Sequence, residues 1–257
     1  VAAFFDLDKT VIAKSSLLAF SRPFYAGGLI SRRAVLKSSY AQFVFMLSGA
    51  DSQTLDRMRA HITALCTGWD VEQVSAIVRE TLHDVVNPLV YAEAAMLIAE
   101  HAEQGHDVVV VSASGTELVT PIADMLGATH SVATQMVVQD GRYTGDIAFY
   151  CYGENKATAL DDLAAMYGYD LDECYAYSDS ATDLPMLEAV GHPYVVNPNR
   201  ALRKTAELRG WQVLTFTDAV SLRSRIPATT TAVAATAVGI GAVAGATWYG
   251  LRRRKQR

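Results

Sequence analysis

Four consecutive valines, residues 108–111, stand between Gly105 and the small-residue stretch Ser112-Ala113-Ser114-Gly115. A run so short and so branched reads as a strand, and its unbroken apolarity implies burial on both faces. Strands covered on both sides belong to the parallel sheets of α/β proteins, where helices pack above and below. The apolar opening that ends at Phe5 reads as a second such strand, and 174–177, 194–196 and 213–214 as further ones. Helical patterns fall between them: 87–104, a helix closed by Gly127, 157–167, and a short helix from Asp183. Segments 132–138 and 143–147 flank Asp140-Gly141, a hairpin signal. The expected fold is therefore α/β, a doubly wound and mostly parallel sheet.

Two stretches break that rhythm. Residues 13–87 show almost no strand pattern, but Val35, Leu36, Tyr40, Phe43, Val44 and Leu47 recur at helical spacing. Leu55, Met58, Ile62 and Leu65 continue the stripe, and Asp70 is placed to cap a helix carrying Val71, Val74, Ile77, Val78 and Leu82. An all-helical insert thus follows the first strand. The other stretch is the tail. Residues 228–251 contain no charge and lead into Arg252-Arg253-Arg254-Lys255-Gln256-Arg257. As a helix they could cross or lie on a bilayer, and the basic flank suits an anionic surface. The expected division is a catalytic core of 1–12 and 88–226, a helical insert of 13–87, and an apolar, basic-ended tail of 227–257. A cytoplasmic catalytic domain with possible membrane contact through 228–257 follows from it. The chain begins inside a strand and without Met, which fits a trimmed start.

Composition narrows the function classes. A formal net charge of −5 gives no reason to expect nucleic acid as a partner. The three cysteines, Cys66, Cys151 and Cys174, are widely spaced and form neither a disulfide framework nor a zinc site. Oligomeric state is not encoded in these patterns.

Chemistry gathers at strand ends. Asp6, Asp8 and Thr10 follow the first strand and would share one side if the chain stayed extended. Ser112 ends the valine strand, Lys156 starts a helix, and Asp179 and Asp183 follow strand 174–177. A single parallel sheet would bring these to one crevice at the carboxyl ends of its strands. Carboxylates gathered there would repel one another without a cation, and with oxygen donors and no His or Cys cluster the natural cation is Mg²⁺. Lysine and a serine hydroxyl beside Mg²⁺ suit a phosphoryl group.

Asp6-Leu7-Asp8-Lys9-Thr10 resembles the D-x-D-x-T motif of the haloacid dehalogenase-like (HAD) phosphohydrolases. Ser112, Lys156 and Ser178-Asp179-Ser180-Ala181-Thr182-Asp183 are similar to the second, third and fourth motifs of that superfamily, in the right order. The resemblance covers about residues 1–226. The insert after motif one, and Asp140-Gly141-Arg142-Tyr143-Thr144-Gly145-Asp146, resemble the phosphoserine phosphatase-like branch, with its Rossmann-like core and helical cap. The resemblance implies Asp6 as the nucleophile that forms an aspartyl-phosphate, and Asp8 as the acid for the leaving alcohol and then the base for water. It implies Lys156 as the group that neutralises charge, and Mg²⁺ held by Asp6, the Asp8 carbonyl and Asp179, with Asp183 behind them. Thr10, Ser112, Ala113 and Thr182 would surround the phosphoryl group. The D-K-T-G-T motif of cation pumps is excluded, since Val11 and Ile12 follow Thr10.

The substrate is less defined. Phosphoserine phosphatases carry a Glu nine residues after the nucleophile, and that position here is Ser15. Arg57 and Arg59 are candidates to hold a substrate carboxylate or second phosphate. The insert also mixes rings (Phe24, Tyr25, Tyr40, Phe43, Phe45, Trp69) with Arg22, Arg32, Arg33 and Lys37. The leading expectation is a Mg²⁺-dependent phosphomonoesterase acting on a small phosphorylated metabolite. The alternatives are a membrane-apposed lipid-phosphate or lysophospholipid phosphatase, and a regulatory protein that binds a phosphorylated partner without turnover.

Overall fold

In the computed structural model residues 1–30 and 63–217 are described. Seven strands form one sheet in the order β4-β3-β2-β1-β5-β6-β7. They are β1 (Ala2–Asp6), β2 (Asp107–Gly115), β3 (His130–Gln139), β4 (Arg142–Phe149), β5 (Tyr175–Ser178), β6 (His192–Val196) and β7 (Gln212–Leu214). Every pairing is parallel except β3 with β4, which run antiparallel about the turn at Asp140-Gly141. The α/β expectation holds. Strand β1 lies at the centre, between β2 and β5, where strand order reverses direction and an open α/β sheet leaves its ligand crevice.

Side-chain alternation along β1 explains both faces. Ala2 and Phe4 enter a core with Val109, Val111, Ala176 and Val195. Helices α6 (Glu154–Tyr167), α7 (Leu184–Glu188) and α8 (Arg200–Arg209) cover that side through Leu160, Met186, Leu187 and Leu202. Phe5 enters the opposite face, where it stacks on Tyr177 with centroids 4.4 Å apart, and Tyr177 stacks on Tyr194 at 5.0 Å. The valine run, buried throughout 108–111, is covered on both sides as its composition requires.

Two segments depart from their sequence patterns. The helix expected over 87–104 is split: Asn87–Leu89 is a single 3-10 turn, and α4 runs Ala92–Glu103. Val90 between them is extended and forms an antiparallel bridge through Ile12, while the Tyr91 N–H donates to the Val11 carbonyl at 3.0 Å. Tertiary pairing overrides local propensity there. Strand β2 also runs further than expected, through Ser112 to Gly115, with a register irregularity against β3 between those two residues, and α5 (Thr116–Leu126) follows it directly.

The described part of the insert comprises α1 (Ser16–Ala19), α2 (Ser21–Ala26) and α3 (Val71–Val86). The Asp70 side chain caps α3 by accepting from the Gln73 N–H at 3.1 Å, as its position before the apolar stripe implies. Phe20, Phe24 and Trp69 pack on one another, with centroids 6.0 and 5.7 Å apart. The return of the insert is sewn to the β3–β4 hairpin. Gly68 N–H donates to the Tyr143 carbonyl, Tyr143 N–H to Trp69, and Val71 N–H to Gly141. Arg142 adds a bond to the Gly68 carbonyl and an ion pair with Asp70. Gly145, at φ +97°, lies so close to Thr67 that any side chain there would collide with the Thr67 hydroxyl. No helix among the described residues is long and apolar enough to cross a membrane. The tail, the stripe residues 35–62, and the rings Tyr40, Phe43 and Phe45 lie outside the described residues.

One buried imidazole makes stability pH-dependent. His101, in the last turn of α4, bonds Tyr177 Oη at 2.8 Å through Nε2 and His106 Nδ1 at 2.9 Å through Nδ1. Burial, and then His106, lower its pKa from 6.5 to about 4. The neutral ring is favoured on folding, so its contribution is full above pH 6.5 and is lost as pH falls towards 4, up to ~3 kcal/mol. The difference in unfolding free energy between wild type and His101→Gln should therefore shrink across that window. Urea titrations at pH 7 and 4.5 measure it; a pH-independent difference would contradict the assignment.

Candidate active site

The carboxyl ends of β1, β2 and β5 meet at the crevice, and each contributes a polar residue. Asp6 is the last residue of β1 and 7% exposed. After Asp8 the chain does not stay extended. Lys9 adopts a left-handed conformation (φ 67°), and Val11 and Ile12 N–H both donate to the Leu7 carbonyl. That turn brings Thr10 back onto the strand end, where its hydroxyl donates to Asp6 Oδ2 at 3.1 Å. Thr10 is completely buried.

Lys156 lies on the face of α6 that carries Leu160 four residues on, the face packed on the sheet. It is 1% exposed, and its ammonium donates to Asp6 Oδ1 at 2.7 Å and to Asp183 Oδ2 at 2.8 Å. A cation in the first turn of a helix opposes the helix dipole and needs carboxylates to hold it. Asp183 Oδ2 also accepts from the Ser178 hydroxyl at 2.8 Å, at the end of β5. Burial pushes the Asp6 carboxyl up to about 8; Asp183 and Asp179 act in the same direction, against Lys156. Burial works against the Lys156 ammonium too, but Asp183 and Asp6 outweigh it and hold it protonated. Asp179 is raised to about 7 by burial, opposed by Lys9 and reinforced by Asp183 and Asp8. Four carboxylates thus face one buried ammonium, with Lys9 near the rim. Carboxylates outnumber cations here, and burial drives Asp6, Asp8 and Asp179 towards their protonated forms.

Asp8 is held separately. Its Oδ1 accepts from the Ser16 N–H at 2.7 Å and its Oδ2 from the Ser114 hydroxyl at 3.0 Å. The Ser16 and Ser114 hydroxyls are 2.7 Å apart. Burial raises the pKa of Asp8, while these hydrogen bonds lower it in part.

A family model for haloacid dehalogenase-like hydrolases matches residues 3–188. The chain belongs to this family. It is 68% identical to a probable phosphatase of Mycobacterium tuberculosis over 98% of its length and 89% of that protein. A phosphoserine phosphatase of the same organism is 33% identical, over 100% of this chain and 82% of its own. The solved structure of a protein of unknown function from Bordetella pertussis superposes with a TM-score of 0.72 at 28% identity, covering 83% of this chain and 97% of that one. Among HAD proteins the chain is a phosphatase.

Besides Asp8 and Asp179, the sequence-derived site residues of this HAD chain fall into four groups. Asp6, Lys156 and Asp183 are joined directly, with Thr10 bonded behind Asp6. Ser112 is buried at the adjacent strand, its hydroxyl accepting from the Ser114 N–H at 3.2 Å, and Ala113 lies between them. Thr182 turns its hydroxyl to Ser180 at 3.0 Å. Arg57 and Arg59 lie outside the described residues. Among the described residues, no three carboxylate, thiol or imidazole groups converge to enclose a metal by side chains alone. A Mg²⁺ ion does not require that, since it retains several waters and takes one or two carboxylates. The oxygen-only donors, with more carboxyl groups than cations among them, fit such an ion. Sequence reasoning missed Ser16, Ser114 and Ser178. Ser114 and Ser178 stand inside the stretches of the second and fourth motifs, whereas Ser16 carries no such signal.

Proposed function

We propose that this phosphatase is a Mg²⁺-dependent phosphomonoesterase that works through an aspartyl-phosphate on Asp6, with a small phosphorylated metabolite as substrate. The observation that carries the reading is the Lys156 ammonium bonded to both Asp6 and Asp183 inside a crevice where carboxyl groups outnumber cations. Thr10 and Lys156 hold the Asp6 carboxylate from two sides, which suits a nucleophile that must present one oxygen in line with the leaving group. Attack forms the bond from Asp6 oxygen to phosphorus as the ester oxygen leaves with a proton from Asp8. Water then attacks phosphorus, gives its proton to Asp8, and inorganic phosphate departs as Asp6 is restored. Asp6, the Asp8 carbonyl and Asp179 would hold Mg²⁺, supported by Asp183, and the ion would neutralise charge on the phosphoryl oxygens. Ser112, Ala113 and Thr182 belong to the phosphoryl pocket in this reading. The core of 1–12 and 88–226 would carry the chemistry, and the cap of 13–87 the choice of ester.

Identity to a phosphoserine phosphatase supports an amino-acid-sized ester, although Ser15 offers no carboxylate to a substrate ammonium. Phe24 and Trp69 are packed in the cap interior, which weakens the case for a lipid-binding entrance. Turnover of a phosphomonoester panel with millimolar Mg²⁺ and with EDTA tests the proposal, alongside mass spectrometry of acid-quenched enzyme. Activity should vanish with EDTA, and a phosphate adduct should map to the peptide containing Asp6. Full activity without a divalent cation would refute the metal dependence. A preference for lysophospholipid phosphates would replace the metabolite with a lipid.

A further inference from the structure

Resting on the reading of Asp8 as the acid, we infer that Ser114 and Ser16 are positioning residues that set the rotation of the Asp8 carboxyl and tie it to the seating of the cap. A carboxyl turns freely about its last torsion, and an acid that is free to turn does not aim its proton. Here each Asp8 oxygen has a donor: the Ser16 N–H on Oδ1 and the Ser114 hydroxyl on Oδ2. Both serines therefore bear on the same carboxyl. The two serine hydroxyls also meet each other at 2.7 Å, so Ser16 and Ser114 brace one another beside Asp8. Ser16, Ser114 and Asp8 form one linked group. Its three members come from separate parts of the fold. Asp8 follows β1, Ser114 lies in β2, and Ser16 is the first residue of α1, where the insert begins. Ser16 is fully buried and Ser114 half-buried beside it. Withdrawal of α1 would remove the backbone donor from Oδ1 and the hydroxyl behind Ser114 together. Asp8 is aimed only while the first helix of the cap is seated on β2.

The readout is leaving-group dependence of kcat/KM, compared between an alkyl phosphate and 4-nitrophenyl phosphate in the full-length enzyme with saturating Mg²⁺. An alkoxide needs a directed proton and nitrophenolate does not. Asp8→Asn is the reference and should selectively lose the alkyl ester. Ser114→Ala should lower kcat/KM for the alkyl ester about tenfold or more, and for the nitrophenyl ester less than about threefold. Ser114→Thr keeps the hydroxyl and should restore the ratio. Ser16→Ala keeps the backbone donor and should shift the ratio the same way by less, which provides the test if Ser114→Ala does not fold. Equal losses on both esters in the serine variants, with Asp8→Asn still selective, would overturn the inference alone. If Asp8→Asn is itself unselective, the assignment of Asp8 as the acid fails first.

Discussion

Replacing Asp6 by asparagine lowers turnover by at least about 10³-fold while the melting temperature stays at or above that of the wild type. The two outcomes have separate causes. An amide oxygen cannot form the acyl-phosphate bond, so the chemical step is lost outright. The fold is spared because asparagine keeps an oxygen to accept from Lys156 and presents its NH₂ where Oδ2 meets Thr10, whose hydroxyl can accept as well as donate. The substitution also removes a negative charge that burial, Asp183 and Asp179 all disfavour. Steady-state hydrolysis together with a thermal melt measures both. Residual activity near wild type would place the nucleophile elsewhere.

Lys156→Met is expected to be severe for stability as well as turnover. Methionine fills a similar volume, so no large cavity opens, but Asp6 and Asp183 lose the one ammonium bonded to both. Removing one partner from a buried ion pair costs about 3–5 kcal/mol, since the remaining charge has no solvent to turn to. The sign with pH is specific. An acid whose folded pKa lies above its unfolded value gains stability from protonation, and Asp6 already stands at about 8 with Lys156 present. The deficit of the variant should therefore be largest at pH 9 and narrow as pH falls through 8. Urea unfolding of both proteins at pH 9 and 6 decides it, and equal stabilities at pH 9 would mean that Lys156 does not carry the charge balance of the core.

The parts of the molecule that were legible in its letters are those with short-range signatures. The run 108–111 announces a strand covered on both faces, and Asp140-Gly141 announces the hairpin that joins β3 to β4. Asp6, Ser112, Lys156 and Asp183 stand near strand and helix ends, where a parallel sheet gathers polar groups whatever the rest of the sequence does. Residues whose part is set by distant contacts were hidden. Ser16 and Ser114 are 98 positions apart and meet only because the insert folds back over β2. Serine at a helix start or after a strand is too common to stand out. The 3-10 turn at Asn87–Leu89 was hidden likewise: its residues permit a helix, and the bridge from Val90 to Ile12 decides against one. At Thr10, the left-handed turn at Lys9 redirects the chain and brings the hydroxyl onto Asp6, which no local pattern announces.

The seam between residues 68–71 and the β3–β4 hairpin makes the two stems of the cap unequal. The outgoing stem is riveted by a ladder of main-chain bonds, and by Arg142, to an edge strand of the sheet. The incoming stem is held at Ser16 through Asp8 and Ser114. The described part of the cap is thus pinned to the core at two places, the hairpin edge and the residues around Asp8.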